Sequence, residues 1–205
     1  MTIIPLLVAI LIGYALGDIQ AAFILGKLVQ KIDIRQHGTT NAGASNATIV
    51  LGWKYGILTG VIDVLKGMFA VVIVRALYPE MPGLAFVAGI AAVMGHIYPV
   101  LLGFRGGKGI AALVGVLLAL NVWLGLGVIL SLIIITVLTD YIALGSIGLY
   151  IALPFITLMI LRHPPAYVGV AIGLMLVGVY KHLPNLGKIR RGEEVGLRAV
   201  MRPKA

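Results

Sequence analysis

The chain has 205 residues, a formal net charge of +9, and a composition that is 60% hydrophobic and only 11% charged. This composition excludes an ordinary soluble core and indicates an integral membrane protein. We interpret the excess of Lys and Arg as a sign of membrane topology and of an anionic substrate. No basic surface interleaved with aromatic residues is evident, as nucleic-acid binding would require. The absence of cysteine excludes disulfides and thiol chemistry.

The apolar runs predict an all-α, polytopic transmembrane bundle that forms a single domain over residues 1–205. The first span is predicted over residues 3–25, with Asp18 and Gln20 inside its second half. Gly13 and Gly17 form a small-xxx-small motif, which is typical of close helix contacts. No Lys or Arg precedes Lys27, so we predict an uncleaved span with its N-terminus outside. Further spans are predicted over residues 56–78 and 84–102.

The apolar run over residues 110–139 is too long for one span, because a helix of that length would measure ~45 Å against ~30 Å of hydrocarbon. Thirteen of the 16 Lys and Arg fall before residue 56, between residues 103 and 109, or after Tyr180, and they should share the cytoplasmic side. Two more runs follow, over residues 141–161 and 167–180. An even number of crossings then requires the run over residues 110–139 to cross twice, with a turn near Asn121.

We therefore predict seven spans, with the N-terminus outside and the C-terminus inside. The two short spans in this run should be shielded from lipid by their neighbours. The alternative is six spans with the basic tail outside.

The glycine loop, residues 103–109, is the most distinctive polar segment. It follows His96 and contains Lys108 within Gly106-Gly107-Lys108-Gly109, immediately before another apolar run. Glycines let successive amides point into one concavity, and a following helix adds its positive end, so the pattern favours a phosphate or another anion. It is not a Walker A loop, which needs Ser or Thr after the Lys. A positively charged turn at the membrane surface is the alternative.

Two further polar segments carry candidate residues. Residues 33–46 are dense in hydroxyls and amides that could surround an oxygen-rich ligand, although an ordinary polar loop has the same composition. Residues 181–194 could equally be a positively charged tail. Asp63 and Lys66 lie three residues apart inside a span, so we expect them to pair, and Asp18 could meet a cation across helices.

Together the three segments resemble the bacterial acyl-phosphate:glycerol-3-phosphate acyltransferases, the PlsY family. The first family motif is matched by Asp33-Ile34-Arg35 followed by Gly38-Thr39-Thr40-Asn41-Ala42-Gly43-Ala44-Ser45-Asn46. The second is matched nearly throughout from Gly95 to Gly109. The third is matched by His182, Asn185, Lys188, Gly192 and Glu194, and Asp63-Val64-Leu65-Lys66-Gly67 is similar to the family's Asp-x-Leu-Lys-Gly.

The sequence also departs from the family pattern. Asp18 and Gln20 replace a Ser and a Pro, and Thr40 replaces a Gly of the first motif. Other positions lack an expected polar residue: Ile49 stands for Arg, Ala112 for Thr and Leu183 for Arg. Since Ile49 and Leu183 could each remove a phosphate contact, the resemblance indicates a divergent member.

The resemblance implies acyl transfer from a fatty acyl phosphate to the 1-hydroxyl of glycerol 3-phosphate, without a cofactor or metal, at the cytoplasmic face of a bacterial inner membrane. The implied catalytic residues are His96, Lys108, His182 and Asn185, with His96 or His182 as the candidate base. The implied substrate-binding residues are Thr39, Thr40, Asn41, Gly43, Ser45, Asn46, Gly106, Gly107, Gly109, Lys188 and Glu194. The partners would be the two substrates and the lipid bilayer, without nucleic acid.

Other functions remain open at this stage. A non-catalytic or altered-acceptor paralogue that binds lipid or phosphate is the nearest alternative, given the departures at Ile49, Ala112 and Leu183. The intramembrane charges also allow a small transporter, although no inverted repeat is evident. A CDP-alcohol phosphotransferase would need a run of aspartates that this sequence lacks. The sequence does not specify the oligomeric state.

Overall fold

The structure is a computed structural model, and it describes residues 3–201. The helices in chain order are α1 (Ile3–Gly17), α2 (Ala21–Gln30), α3 (Ala44–Leu51), α4 (Trp53–Leu77), α5 (Pro82–Ile97), α6 (Ile110–Leu120), α7 (Val122–Thr139), α8 (Ile142–Phe155), α9 (Pro165–Arg190) and α10 (Leu197–Met201). The predicted all-α class is confirmed. The chain divides into two compact units, one up to Gly125 and one from Leu126.

Six helical segments of the described residues are long and apolar enough to cross a bilayer. They are Ile3–Gln30, Trp53–Leu77, Pro82–Leu102, Val122–Thr139, Ile142–Ile160 and Pro165–Arg190. Helix α6 is a shorter apolar helix of 11 residues. The orientation and the number of crossings remain predictions.

The first predicted span is interrupted, which its apolar composition did not indicate. Helix α1 ends at Gly17, and α2 begins at Ala21, so Asp18 and Gln20 lie in a break between helices and are buried. Irregular backbone at membrane depth is tolerated only where other groups satisfy its polar atoms. The break therefore needs polar partners from neighbouring helices.

Glycines allow the helices of the first unit to approach closely. A Cβ atom at Gly13 would collide with the carbonyl oxygen of Ala88, and one at Gly17 with that of Ala92, so α1 packs directly on α5. The predicted small-xxx-small contact is confirmed. Gly67 makes the corresponding approach of α4 to Ala112 in α6. Ala112 is fully buried there, in a close backbone contact.

The predicted break in the run over residues 110–139 is confirmed at Asn121, where α6 ends and α7 begins. The two helices differ in a way that the sequence did not predict. Helix α6 has 11 residues, and its central residues are buried against α4 and α5. Helix α7 has 18 residues and is largely exposed, as expected of a lipid-facing helix. Only the first of the two is shielded, so the prediction of two short shielded spans is wrong for the second.

In the second unit, α8 continues into a π-helical segment, Ile156–Ile160, before a loop leads to α9. Helix α9 extends to Arg190, well beyond the predicted end at residue 180. The third polar segment is therefore mostly helical. Tyr150 of α8 packs against Gly178 of α9, where a Cβ atom would collide with the tyrosine ring.

Candidate active site

A buried polar cluster joins α4, α5 and the break after α1 in the first unit. The Lys66 Nζ atom lies 2.9 Å from Asp63 Oδ1, 2.7 Å from His96 Nδ1 and 2.6 Å from the carbonyl oxygen of Ile19. The side chains of Asp63, Lys66 and His96 are at most 3% exposed. The predicted pairing of Asp63 with Lys66 is confirmed. The Ile19 carbonyl belongs to the break after α1, so Lys66 supplies one of the partners that the interrupted backbone requires.

The same cluster determines how His96 can act. An ammonium group has three donors and no acceptor, and the Lys66 Nζ atom lies within 2.9 Å of Asp63, His96 and Ile19. A neutral His96 ring that accepts from Lys66 at Nδ1 would carry its proton on Nε2, whereas a protonated ring could donate from Nδ1 to Asp63 Oδ1, 3.5 Å away. The Nε2 atom faces Gly107 of the glycine loop, because a Cβ atom at Gly107 would collide with it. With the proton on Nε2, His96 would donate a hydrogen bond on the side of the glycine loop.

Gln20 replaces the family's expected proline, and its side chain makes hydrogen bonds that a proline could not. Its Nε2 atom donates to the carbonyl oxygens of Gly17 and His96, at 3.2 Å each. Gln20 thus connects the break after α1 to the last turn of α5. Asp18 is also buried, and its Oδ2 atom accepts a long hydrogen bond of 3.4 Å from the Leu101 amide. The Asp18 carboxylate also interacts electrostatically with the Lys66 ammonium of α4, in line with the expectation that Asp18 meets a cation across helices.

The glycine loop folds back on the end of α5. The Gly106 and Gly107 amides donate to the carbonyls of Ile97 and His96, at 3.3 and 3.1 Å. These two amides are used within the protein, so the predicted anion nest does not form at them. Gly109 has a φ of +80° and caps the start of α6. Lys108 is half-buried between this turn and the N-terminus of α6.

The glycines at 106 and 107 are required by space. A Cβ atom at Gly106 would collide with the His96 carbonyl oxygen. One at Gly107 would collide with His96 Nε2 and lie 3.0 Å from the carbonyl oxygen of Ala42. Gly107 is therefore the point where the buried cluster, the glycine loop and the first polar loop meet.

The first polar loop is organised by Asn46. The Asn46 side chain is fully buried; its Nδ2 atom donates to the carbonyls of Ile34 and His37, and its Oδ1 atom accepts from the Thr39 amide at 2.7 Å. This amide group is committed to the loop backbone, which replaces its predicted contact with substrate. Gly38, with a φ of +59°, packs directly against Asn46 Oδ1.

The other candidates of this loop differ in exposure. Ser45 and Thr40 are exposed, and Thr40 has a φ of +59° with its hydroxyl donating to the Thr39 carbonyl. Thr39 and Asn41 are half-buried, while Gly43 is buried at the start of α3. Thr39, Asn41 and Ser45 are thus at least partly accessible to solvent.

Arg35 links the first polar segment to the glycine loop, which sequence reasoning missed. It forms an ion pair with Asp33, with Nη2 2.8 Å from Oδ2, and its Nη1 atom donates to the Leu102 and Arg105 carbonyls at 2.8 and 3.2 Å. The guanidinium hydrogen bond lowers the pKa of Asp33, and the carboxylate in turn raises the pKa of Arg35. The Asp-Ile-Arg spacing was the available signal for the ion pair, but not for the contact with the loop.

The third motif lies in the second unit. The Nδ1 atom of His182 is 2.7 Å from the Gly178 carbonyl, so Nδ1 carries the proton and the neutral ring has its lone pair on Nε2. His182 is buried, with its ring 5.9 Å from that of Tyr150. Asn185 Nδ2 donates to Glu194 Oε1 at 2.5 Å, which assigns Glu194 to holding the asparagine. Lys188 is half-buried on the same helix.

Two of the remaining departures from the family pattern lie on exposed surfaces. Ile49 on α3 and Leu183 on α9 are 37% and 50% exposed. Both positions are open enough to have held the expected arginine side chains.

These features define a class: a helical integral membrane protein with a lysine-bearing glycine loop beside a buried histidine. The profile of a family described as "Glycerol-3-phosphate acyltransferase" matches residues 7–192, which is most of the chain. The chain therefore belongs to the glycerol-3-phosphate acyltransferase family.

Individual relatives agree. The chain is 37% identical to "Glycerol-3-phosphate acyltransferase 1" of Oceanobacillus iheyensis, covering 97% of this chain and 98% of that protein. It is 36% identical to the glycerol-3-phosphate acyltransferase of Coxiella burnetii, covering 92% and 96%.

Solved structures are similar as well. The crystal structure of PlsY (YgiH), an integral membrane glycerol 3-phosphate acyltransferase, in its glycerol 3-phosphate form has a TM-score of 0.84 at 32% identity, covering 96% of this chain and 99% of that one. The lysophosphatidic acid form has a TM-score of 0.81 at 31% identity, with coverages of 95% and 96%.

Proposed function

We propose that this protein is an acyltransferase that moves a fatty acyl group from acyl phosphate to the 1-hydroxyl of glycerol 3-phosphate, forming lysophosphatidic acid for phospholipid synthesis. The observation that carries the proposal is the meeting of the glycine loop, the first polar loop and His96 at Gly107. It occurs in a chain that is similar over nearly its whole length to proteins named for this acceptor.

The proposed reaction needs little covalent chemistry from the protein. The hydroxyl oxygen attacks the acyl carbonyl carbon, the bond from that carbon to the phosphate oxygen breaks, and the hydroxyl proton leaves with the released phosphate or through a base. The mixed anhydride already has a good leaving group. Positioning and charge neutralisation can therefore supply much of the rate.

The family resemblance supports distinct roles for the candidates. Lys108 would bind phosphate at the start of α6, and Thr39, Asn41, Ser45 and Asn185 would orient glycerol 3-phosphate. Either His96 or His182 would be the base if a protein group takes the hydroxyl proton. His96 would also contact the glycine loop at Gly107.

The activity is tested by mixing the purified protein with palmitoyl phosphate and labelled glycerol 3-phosphate. We expect labelled lysophosphatidic acid and release of phosphate. Palmitoyl-CoA in a phosphate-free, kinase-free assay is the donor control, and equal activity with it would exclude acyl phosphate as the specific donor. Binding of labelled glycerol 3-phosphate without product would favour the non-catalytic paralogue instead.

We further propose that the chain crosses the bacterial inner membrane seven times, with the three motifs on the cytoplasmic side. Single cysteines at Thr40, Arg105 and Arg198 should react with an impermeant thiol reagent only after the inner face is opened. A cysteine at Asn121 should react from outside. Labelling at position 198 from outside would contradict the seven-span topology and favour six spans.

A further inference from the structure

Arg35 makes a set of contacts that the proposed reaction does not use. Its Nε atom lies 3.0 Å from Asp33 Oδ1, its Nη2 atom contacts the other carboxylate oxygen, and its Nη1 atom donates to the Leu102 and Arg105 carbonyls. The guanidinium carbon also lies 5.1 Å from the centre of the Phe23 ring, within the range of a cation–π contact. One side chain therefore joins α2, the first polar segment and the glycine loop.

The two carbonyls that Arg35 holds enclose an unfavourable turn. Gly103 and Phe104, the residues between them, both have positive φ values, +61° and +62°. A glycine adopts this conformation readily, but a phenylalanine does not, and such a residue persists only where its surroundings hold it. Phe104 is 57% exposed, so its own side-chain packing does little to hold the turn.

We propose that Arg35 is a positioning residue that clamps the strained turn at Leu102–Arg105 and thereby fixes the glycine loop that carries Lys108. The planar guanidinium suits this task because its donors lie in a fixed fork, which can span a carboxylate and two carbonyls at once. Asp33 holds the fork in place. The clamp deepens the proposed function and rests on it where catalysis is concerned, but the clamp itself is a property of the loop.

A direct phosphate contact is the other role that an arginine here could have. Four of the five guanidinium N–H groups are directed at Asp33, Leu102 and Arg105. The paired carboxylate also neutralises the charge that an anion would need. The geometry thus favours a fixed structural clamp over a phosphate ligand.

Trypsin can report the clamp without any activity assay, because Arg105 and Lys108 are cleavage sites inside the loop. The full-length protein in detergent micelles would be treated with trypsin, and cleavage after these two residues would be followed by mass spectrometry. We expect Arg35→Gln to be cut about tenfold faster than the wild type, since local opening exposes both sites. Arg35→Lys should be intermediate, because an ammonium cannot span all three partners.

The matched control is Arg75→Gln, which removes an exposed arginine from the last turn of α4 and should be cut at the wild-type rate. A rescue variant adds Phe104→Asn to Arg35→Gln. Asparagine tolerates positive φ better than phenylalanine, so the double variant should be cut more slowly than Arg35→Gln alone. Thermal unfolding confirms that each variant is folded, and Arg35→Lys replaces Arg35→Gln if the latter is not.

Cleavage of Arg35→Gln, or of Arg35→Lys in its place, at the rate of Arg75→Gln would overturn the clamp. In the acyltransferase assay, the clamp predicts that Arg35→Gln raises the KM for glycerol 3-phosphate and that Phe104→Asn partly restores it. If the wild type makes no lysophosphatidic acid, the proposed function fails, while the cleavage rates still decide whether the clamp exists.

Discussion

Two ion pairs of similar geometry lie in different surroundings within the first unit. Asp63–Lys66 measures 2.9 Å with side chains 2–3% exposed, whereas Asp33–Arg35 measures 2.8 Å with side chains 15–20% exposed. The buried pair holds a broken helix and a histidine ring, and the outer pair holds a loop. The N···O distance alone therefore does not determine how much an ion pair contributes to stability. Removing one partner of a buried pair costs far more than removing one partner of an exposed pair, because the remaining charge is desolvated.

The largest effect is expected from breaking the buried pair. Lys66→Met leaves the Asp63 carboxylate without its countercharge and should lower the free energy of unfolding by about 3–5 kcal/mol. The double variant Asp63→Leu/Lys66→Met should recover part of the loss, because no lone charge remains. Thermal unfolding in detergent measures both. A single variant as stable as the wild type would show that the cluster is hydrated or rearranged.

The next effect concerns Lys108, the cation at the start of α6. Lys108→Ala should lose about 2–4 kcal/mol of transition-state stabilisation, as on removal of one preorganised donor. Lys108→Arg should remain well below the wild type while folding normally, because a planar fork cannot replace a compact ammonium in a tight turn. Arg105→Lys, at an exposed position, is the control and should change kcat/KM little. Full activity of Lys108→Arg would contradict a specific role of this lysine in phosphate binding and would leave it only a role in membrane topology.

A third substitution tests the link between the buried cluster and the loop. Gly107→Ala places a methyl group against His96 Nε2 and should reduce kcat/KM about hundredfold, as expected for a displacement of about 1 Å. Gly52→Ala, between α3 and α4, is the matched control. Its Cβ atom meets nothing within 4 Å, so only the positive φ opposes it, at a cost of about 1–2 kcal/mol of stability. Equal kcat/KM in the two variants would show that the contact between His96 and Gly107 does not affect catalysis.

The smallest effect is expected at the outer pair and depends on pH. The pKa of Asp33 is lowered in the folded state, mainly by the hydrogen bond from Arg35. Its contribution is therefore complete above the unfolded pKa of about 3.9 and is lost as the pH falls through the lower folded pKa. Because the pair lies near the surface, Asp33→Asn should remove only about 0.5–1 kcal/mol at pH 7. The free energies of unfolding of the wild type and the variant should therefore converge near pH 2. A difference that stays constant between pH 7 and pH 2 would show that packing, and not the charge of Asp33, causes the effect.

Much of the site could be predicted from the sequence because its signals are local. The spacing of Asp63 and Lys66 predicts one helix face, and glycines around Lys108 predict a tight cationic turn. The direction of each amide is not a local property. The Gly106 and Gly107 amides point inward because the end of α5 offers carbonyls, and Asn46 is consumed by its own loop. Asn46 bonds to residues 7 to 12 positions away, and the Gly106 and Gly107 amides bond to the end of α5, so both facts depend on how the loops fold back and not on a local pattern.

The sequence by itself determined that this is a helical membrane protein with a break at Asn121, three polar motifs and a paired intramembrane Asp and Lys. Hydropathy, glycine spacing and family motifs are properties of the chain alone. Only the tertiary structure decided that α1 ends at Gly17, that α6 is buried while α7 is exposed, and that His96 lies against Lys66. The physical reason is the same in each case. An apolar run predicts that a segment lies in the membrane, whereas the partner of each polar atom depends on which helices pack together.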